Sequence, residues 1–507
     1  MTVRELGIDF FGRLNRYDPL GASLVGLTAY DTLLPDPRPE ADRAAAHRFR
    51  AVARSASAFG DDVDAAVLRW MADTAADEAE HCLWEANASA MVYGSPQASY
   101  FMAGSDQRLP VAAAFFDALA DRYRDASSRG RPSTRALLRQ ARTQLENHLP
   151  RTGPADVRAA MRRLADCYTE LLETARDDHH VGISTITGGE AGYRAAVAAH
   201  TTLPITPGEV HDLGLELLAD LDSQWSALGA ETFQIKDPIA VRAHVRDDPA
   251  LKITGADAIM ATVAAALDRA VARTPDITAL AASAPCHFAP VPAGDEESAP
   301  AAYYRPPAVD GSQPGTVFIR TTGSRFALEA LTFHEAVPGH HFQIVAAQGL
   351  TGLPDFRRYV DSRLSAYVEG WALYAEQLAD ELNLYSSPLA RLGRVALSAL
   401  RAARLVADTG LHSRGWSREQ ARTFLRDNTV LTERDVRQET DRYIAWPGQA
   451  LAYSVGAREI LRLRSTARTA LGDRFDLVGF HDQILGAGIV PLSVLSGLMT
   501  RWIASAR

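Results

Sequence analysis

The sequence predicts a mainly α fold with a small β-sheet, on three observations. Ala- and Arg-rich stretches with apolar residues at three-to-four spacing fill the first and last thirds of the chain. Between Ala282 and Thr322 the composition turns to Pro, Gly, aromatic and β-branched residues, the signature of short strands and turns. Directly after that block, Phe333-His334-Glu335-Ala336-Val337-Pro338-Gly339-His340-His341-Phe342-Gln343 sets three imidazoles and a carboxylate in a helical frame.

Taken in order, Glu40 to Ser57, Asp61 to Ala90 and Pro154 to Ala175 read as helices, the last with Val157, Met161, Leu164 and Tyr168 on one stripe. The Pro150-to-Pro154 run ends the helices before it. Thr206, Pro207 and Glu209 form an N-cap, a first-turn proline and a capping box, so a helix starts there and runs toward Trp225. Asp177-Asp178-His179-His180 reads as a solvated turn. Cys286 to Pro290, Ala302 to Tyr304 and Thr316 to Arg320 read as strands, with turns at Asp310-Gly311 and Gln313-Pro314-Gly315. An edge strand here would either pair with an extended peptide or serve the fold alone. Ser362 to Leu382 is apolar on nearly every side and is read as a buried helix. Capping boxes at Ser417 and Thr432 open further helices, and Pro447 is expected to open the helix that carries Tyr453. The domain expectation is a helical N-terminal lobe over 1–180 and a catalytic region over 181–507, with the sheet near 282–322.

Composition narrows the function. A chain of 507 residues with 47% apolar and 23% charged residues is ordinary for a globular protein long enough for two lobes. The net charge of −9 is dispersed without a polybasic run, which argues against nucleic acid and anionic membranes as partners. The N-terminal residues carry no apolar signal core, and no run of about 18 uncharged apolar residues occurs. The three cysteines, Cys82, Cys167 and Cys286, form no CxxC pair. They suit a reduced cytoplasm and make thiolate metal ligands unexpected.

The His block carries the chemistry. A His with Glu directly after it is the start of the zinc-hydrolase helix, in which two His bind metal and Glu is the base. Here the position four residues on is Pro338, and the next imidazoles stand at i+6 and i+7. On an ideal helix i+6 lies about 120° off the face of i, and i+7 about 10.5 Å along it. Pro338 has no N–H for the His334 carbonyl and Gly339 permits unusual backbone angles, so a helix bulged between its histidines is expected. His334 with His340 or His341 supplies two ligands. Glu369, on the next buried helix, is the best third. Glu335 is the expected base for the water that a His₂Glu zinc site retains. Tyr453, Tyr443 and the non-ligating histidine are candidate oxyanion donors. Glu376 or Asp408 would orient a ligand imidazole, and Arg442 would clamp a substrate carboxylate. His412 is read as a satisfied structural histidine.

Together, the Leu203-to-Gly214 helix start, Tyr303-Tyr304-Arg305-Pro306-Pro307, the Asp310-to-Gly315 turn, the His334-to-His341 block, Glu369-Gly370-Trp371-Ala372 and Pro447-to-Tyr453 resemble a gluzincin-like bacterial family, domain of unknown function 885. The resemblance covers about Gly182 to the C-terminus. It implies a two-lobed, clam-shaped helical fold similar to zinc peptidases related to angiotensin-converting enzyme and thimet oligopeptidase. Dipeptidyl peptidase III has a similar lengthened His-to-His spacing with Gly before the second His, which favours His340 as ligand and leaves His341 free to act in catalysis. Arg320 departs from the small polar residue expected after the strand and is a candidate substrate contact, beside Arg442 and Tyr443. The expectation is a cytoplasmic zinc-dependent hydrolase of amide bonds in short peptides or peptide-like metabolites, acting as monomer or homodimer. Its rivals are non-hydrolytic cyclisation or elimination of an amino-acid-derived metabolite at the same metal site, and an inactive binding protein.

Overall fold

The computed structural model describes residues 2–89, 96, 97, 100, 106–280, 284–292 and 299–506. Ala90, where one helix was expected to end, and residues 282–283 and 293–298 of the expected sheet region lie outside them. The described part is mainly helical with two small sheets. No described helix is long and apolar enough to cross a membrane.

Helix starts follow local chemistry. The Thr206 hydroxyl accepts the Glu209 N–H at 3.3 Å, and the Glu209 carboxylate accepts the Thr206 N–H at 2.8 Å. With Pro207 in the first turn, this box opens the helix Pro207–Phe233. Ser417 and Gln420 form the same box for Arg418–Asn428. At Thr432 only the hydroxyl half is formed, before Glu433–Ala445. The expected helix from Pro447 begins instead at Ala452, after a turn of 3₁₀ helix over Gln449–Leu451. Gly448 has φ +85°, a left-handed angle that glycine adopts without a Cβ penalty, so Pro447-Gly448 is a turn and not a helix start.

Three strands form one sheet, β2 (His287–Pro290), β3 (Ala302–Arg305) and β4 (Thr316–Ile319), in the order β2-β4-β3. β2 is parallel and β3 antiparallel to β4, with Tyr303 opposite Phe318. A second pair, β1 (Lys252–Thr254) with β5 (Thr322–Ser324), was not foreseen. Each of its strands is three residues long with no apolar alternation to announce it.

The cores do not follow a boundary at residue 180. One core joins Phe10, Phe49, Leu68 and Met71 of the N-terminal helices to Phe333, Trp371, Ile460 and Leu495. The helices Val3–Tyr17, Pro39–Ser57 and Val63–His81 are therefore packed with the helices that carry the His block. Another core is built mainly within Leu109 to Leu171, on Phe116, Leu138, Met161 and Tyr168, with Ala88 and Tyr100 joined to it. Two contacts set the central frame. The helix Pro207–Phe233 packs along Pro388–Ser413, and Ser365–Glu381 packs along Ala452–Leu471. The second pair touches backbone to backbone. A Cβ on Gly456 would lie 2.0 Å from the Ala366 carbonyl oxygen, and one on Gly370 would lie 2.5 Å from Gly456. Only glycine at both positions lets Glu369 and Tyr453 approach the same space.

Candidate metal centre

The His block is two helices and not one bulged helix. Leu328–Glu335 ends after Glu335, and His340–Gly349 begins a new helix. Pro338 cannot supply the N–H that would continue the first helix onto the His334 carbonyl. Gly339 then crosses that carbonyl so closely that a Cβ would lie 1.8 Å from its oxygen. The break is tied to the neighbouring helix, because the Trp371 indole N–H donates to the Pro338 carbonyl at 2.8 Å. Across the break, the His334 and His340 rings stand 4.8 Å apart at 82°.

His334 Nε2 and His340 Nε2 lie 3.5 and 3.2 Å from Glu369 Oε2. Among the described residues, these three form the one group whose ligand atoms all fall within 4.8 Å of one another. Glu369 Oε2 is buried and makes no hydrogen bond. A buried carboxylate oxygen in that state is costly unless a cation meets it, so the donor set fits a metal. Two imidazoles and one carboxylate match a catalytic zinc site with its fourth position open. Burial pulls the His334 pKa down, but Glu369 and Glu376 outweigh it and hold His334 at about 9. Burial pushes Glu369 up, but the two imidazoles outweigh that and hold it well below the usual carboxylate range.

Glu376 is fully buried, and His334 Nδ1–H donates to its Oε1 at 2.8 Å. This fixes the tautomer that turns the Nε2 lone pair toward Glu369. Glu376→Gln is expected to lower zinc affinity by about 10–100-fold, read by competition with a chromophoric chelator, because it removes the charge that supports the imidazole. Unchanged affinity would assign Glu376 to packing. Glu335 lines the same cavity and is 8% exposed. Tyr453 lies parallel to His334, ring centroids 6.5 Å apart, and its hydroxyl accepts from Arg442 at 3.2 Å. Its own proton is left for the cavity.

Other expected site residues are placed elsewhere. His341 turns away to the sheet: its Nε2–H donates to the Ala284 carbonyl at 2.9 Å, and Nδ1 accepts the Tyr304 hydroxyl at 2.9 Å. With both nitrogens committed, it has no proton for an oxyanion, which corrects the expected catalytic part. Tyr443 is buried and its hydroxyl donates to Glu439 at 2.6 Å, so it contacts no substrate. Asp408 does not reach a ligand imidazole. It accepts from the Tyr193 hydroxyl at 2.6 Å and the Gly448 N–H at 3.1 Å, and burial raises it to about 7. His412 is the satisfied structural histidine expected, between the Ile183 N–H and the Tyr443 carbonyl. Arg320 lines the cavity, 3.6 Å from Asp435. Burial and then the charge of Glu335 push Cys286 up to about 12, so its thiol stays protonated. The sequence reading missed Arg401 and Arg404, which line the cavity beside Tyr453. The available signal was two arginines three apart in an otherwise apolar helix run, Leu400 to Val406.

The cavity measures about 2220 Å³ and is bounded by the cluster, β3, the end of β4 and the Arg442 helix. The profile of a family described as "Bacterial protein of unknown function (DUF885)" matches residues 19–499. No curated protein matches the chain. Among the solved structures that share the fold are two described as putative lipoproteins. One, described as a putative lipoprotein from Colwellia psychrerythraea, is 24% identical with a TM-score of 0.87 over 99% of both chains. The other, described as a putative lipoprotein of unknown function from Shewanella oneidensis, is 18% identical with a TM-score of 0.72, over 99% of this chain and 100% of that one.

Proposed function

The chain belongs to the DUF885 family of bacterial proteins of unknown function, and from that premise we propose that it is a zinc-dependent hydrolase of amide bonds in short peptides or peptide-like metabolites. The observation that carries the proposal is the convergence of His334 Nε2, His340 Nε2 and the unpartnered Glu369 Oε2 in the cavity that Glu335 also lines. The two-lobed gluzincin relationship and a cytoplasmic location belong to the same proposal. The second is supported by three free cysteines, Cys82 and Cys167 among them buried.

When bound, zinc supplies Lewis acidity, polarising a carbonyl and lowering the pKa of water toward neutral. The chain's own residues do the rest. Glu335 takes the proton of the attacking water as the oxygen bonds to the amide carbon. It then hands that proton to the departing nitrogen as the C–N bond breaks. Tyr453, its hydroxyl oxygen already accepting from Arg442, donates a hydrogen bond to the negative oxygen that develops. Glu376 keeps His334 in its working tautomer throughout. The cavity of about 2220 Å³ exceeds the ~300–1,000 Å³ of a pocket for one drug-sized ligand, which favours a peptide. β3 is an edge strand on its wall and offers backbone pairing to an extended substrate.

The test is a mixture of synthetic tri- to decapeptides incubated with the zinc-loaded chain. Product masses are expected to sum to the substrate plus one water, with turnover lost on chelation and restored by zinc. Products at unchanged or water-depleted mass would replace hydrolysis by cyclisation or elimination. Turnover that survives chelation would overturn the metal reading.

A further inference from the structure

Resting on the hydrolase reading above, we propose that the cavity holds the free C-terminal carboxylate of its substrate on Arg401, Arg404 and Arg442, so that the bond cut lies one or two residues from that end. The three guanidinium groups surround one ring. Their carbons lie 5.9, 4.6 and 6.0 Å from the centroid of Tyr453, whose ring stacks at 6.5 Å on that of His334. All four residues line the same cavity.

The chain itself offsets this charge incompletely. Glu439 is the carboxylate within reach of two of the arginines. It takes Arg404 Nε at 2.9 Å and Arg442 Nη1 at 3.4 Å, and also the Tyr443 hydroxyl. Arg442 gives Nη2 to the Gln449 side chain and to Tyr453. Arg401 is 5% exposed and poorly matched. Its Nη1 reaches the Leu397 carbonyl at 3.4 Å, and its Nε has no hydrogen-bond partner. Its Nη2 stands 3.8 Å from Glu376 Oε1, an oxygen already accepting from His334. A buried guanidinium in that state is expensive, and cation–π contact with one tyrosine offsets it only modestly. A planar anion that receives two of these forks supplies the missing partner.

Position selects the anion. An extended chain advances about 3.3–3.6 Å per residue. A wall one aromatic ring from His334 is therefore reached by a carboxylate one or two residues beyond a carbonyl at the donor cluster. That is the C-terminus of a peptide, and the cut would release an amino acid or a dipeptide.

The experiment uses the full chain, zinc-depleted and, with Glu335→Gln to slow turnover, zinc-loaded, in calorimetric titrations with three probes: N-acetyl-Ala-Ala-Ala, its C-terminal amide, and N-acetyl-Ala-Ala-Glu amide. The depleted form removes direct ligation of the metal by a carboxylate. The free acid is expected to bind at least tenfold more tightly than either amide in both forms. Arg401→Gln and Arg442→Gln are each expected to cut acid binding at least tenfold more than amide binding, with thermal midpoints recorded beside them. If one variant fails to fold, the other decides. Equal binding of acid and amide, or variants that weaken both alike, would assign the arginines to structure. Tight binding of the Glu-bearing amide would overturn the terminal position. A retained preference for the acid without peptide cleavage would leave the anchor standing and remove the hydrolase reading.

Discussion

Glu335→Gln is expected to lower turnover by about 10²–10⁴-fold while zinc content stays at its wild-type level. The residue follows His334 at the last position of its helix, and it lines the cavity without belonging to the three-donor group. It is placed to meet water and not the metal. Glutamine preserves its volume and its capacity to accept a hydrogen bond, but it cannot take a proton. The loss corresponds to about 3–5 kcal/mol of transition-state stabilisation. Because the donors, Glu376 and the helix break are untouched, the substitution reports chemistry and not assembly. Metal content by mass spectrometry beside kcat on a confirmed peptide reads both. Full activity in this variant would remove the mechanism altogether.

His334→Ala, His340→Ala and Glu369→Ala are each expected to abolish retention of zinc through gel filtration, whereas His341→Ala retains it. An open site has only three protein ligands, so each removal leaves two. The expected loss exceeds the ~10–100-fold drop that follows when only a supporting carboxylate is changed. His341 differs from its neighbour by one position and faces the sheet, fixed by Tyr304 and Ala284. Its replacement should disturb β3 packing and leave the metal in place. Zinc lost from His341→Ala but kept in His340→Ala would reverse the ligand assignment.

How much of this could be read in the sequence depended on whether the cause was local. The Thr206 and Ser417 boxes are closed by residues three apart, and both helices start where they were expected. The three strands β2, β3 and β4 stood out by their β-branched and aromatic content. β1 and β5 did not, because Lys252 pairs with Ser324 across a segment that holds the helix Ala256–Ala272 and the whole three-stranded sheet, and neither strand has a pattern of its own. Pro338 and Gly339 announced a disturbed helix. That the helix stops altogether depends also on Trp371, which holds the Pro338 carbonyl from another helix. Glu376 stands two turns from Glu369, so its nearness to the cluster was visible. Asp408 had no such local tie, and its partners Tyr193 and Gly448 come from distant segments. A boundary at 180 was expected beside Gly182, where the family resemblance begins, yet Phe49 and Leu68 share a core with Trp371. Arg401 and Arg404 gained meaning only when Tyr453 was seen between them and His334.

The most direct measurement is anomalous diffraction at the zinc absorption edge from crystals of the purified chain. One peak is predicted, within about 2.0–2.2 Å of His334 Nε2, His340 Nε2 and a Glu369 carboxylate oxygen. A peak held by His341, or no peak at these three residues after zinc soaking, would contradict the account.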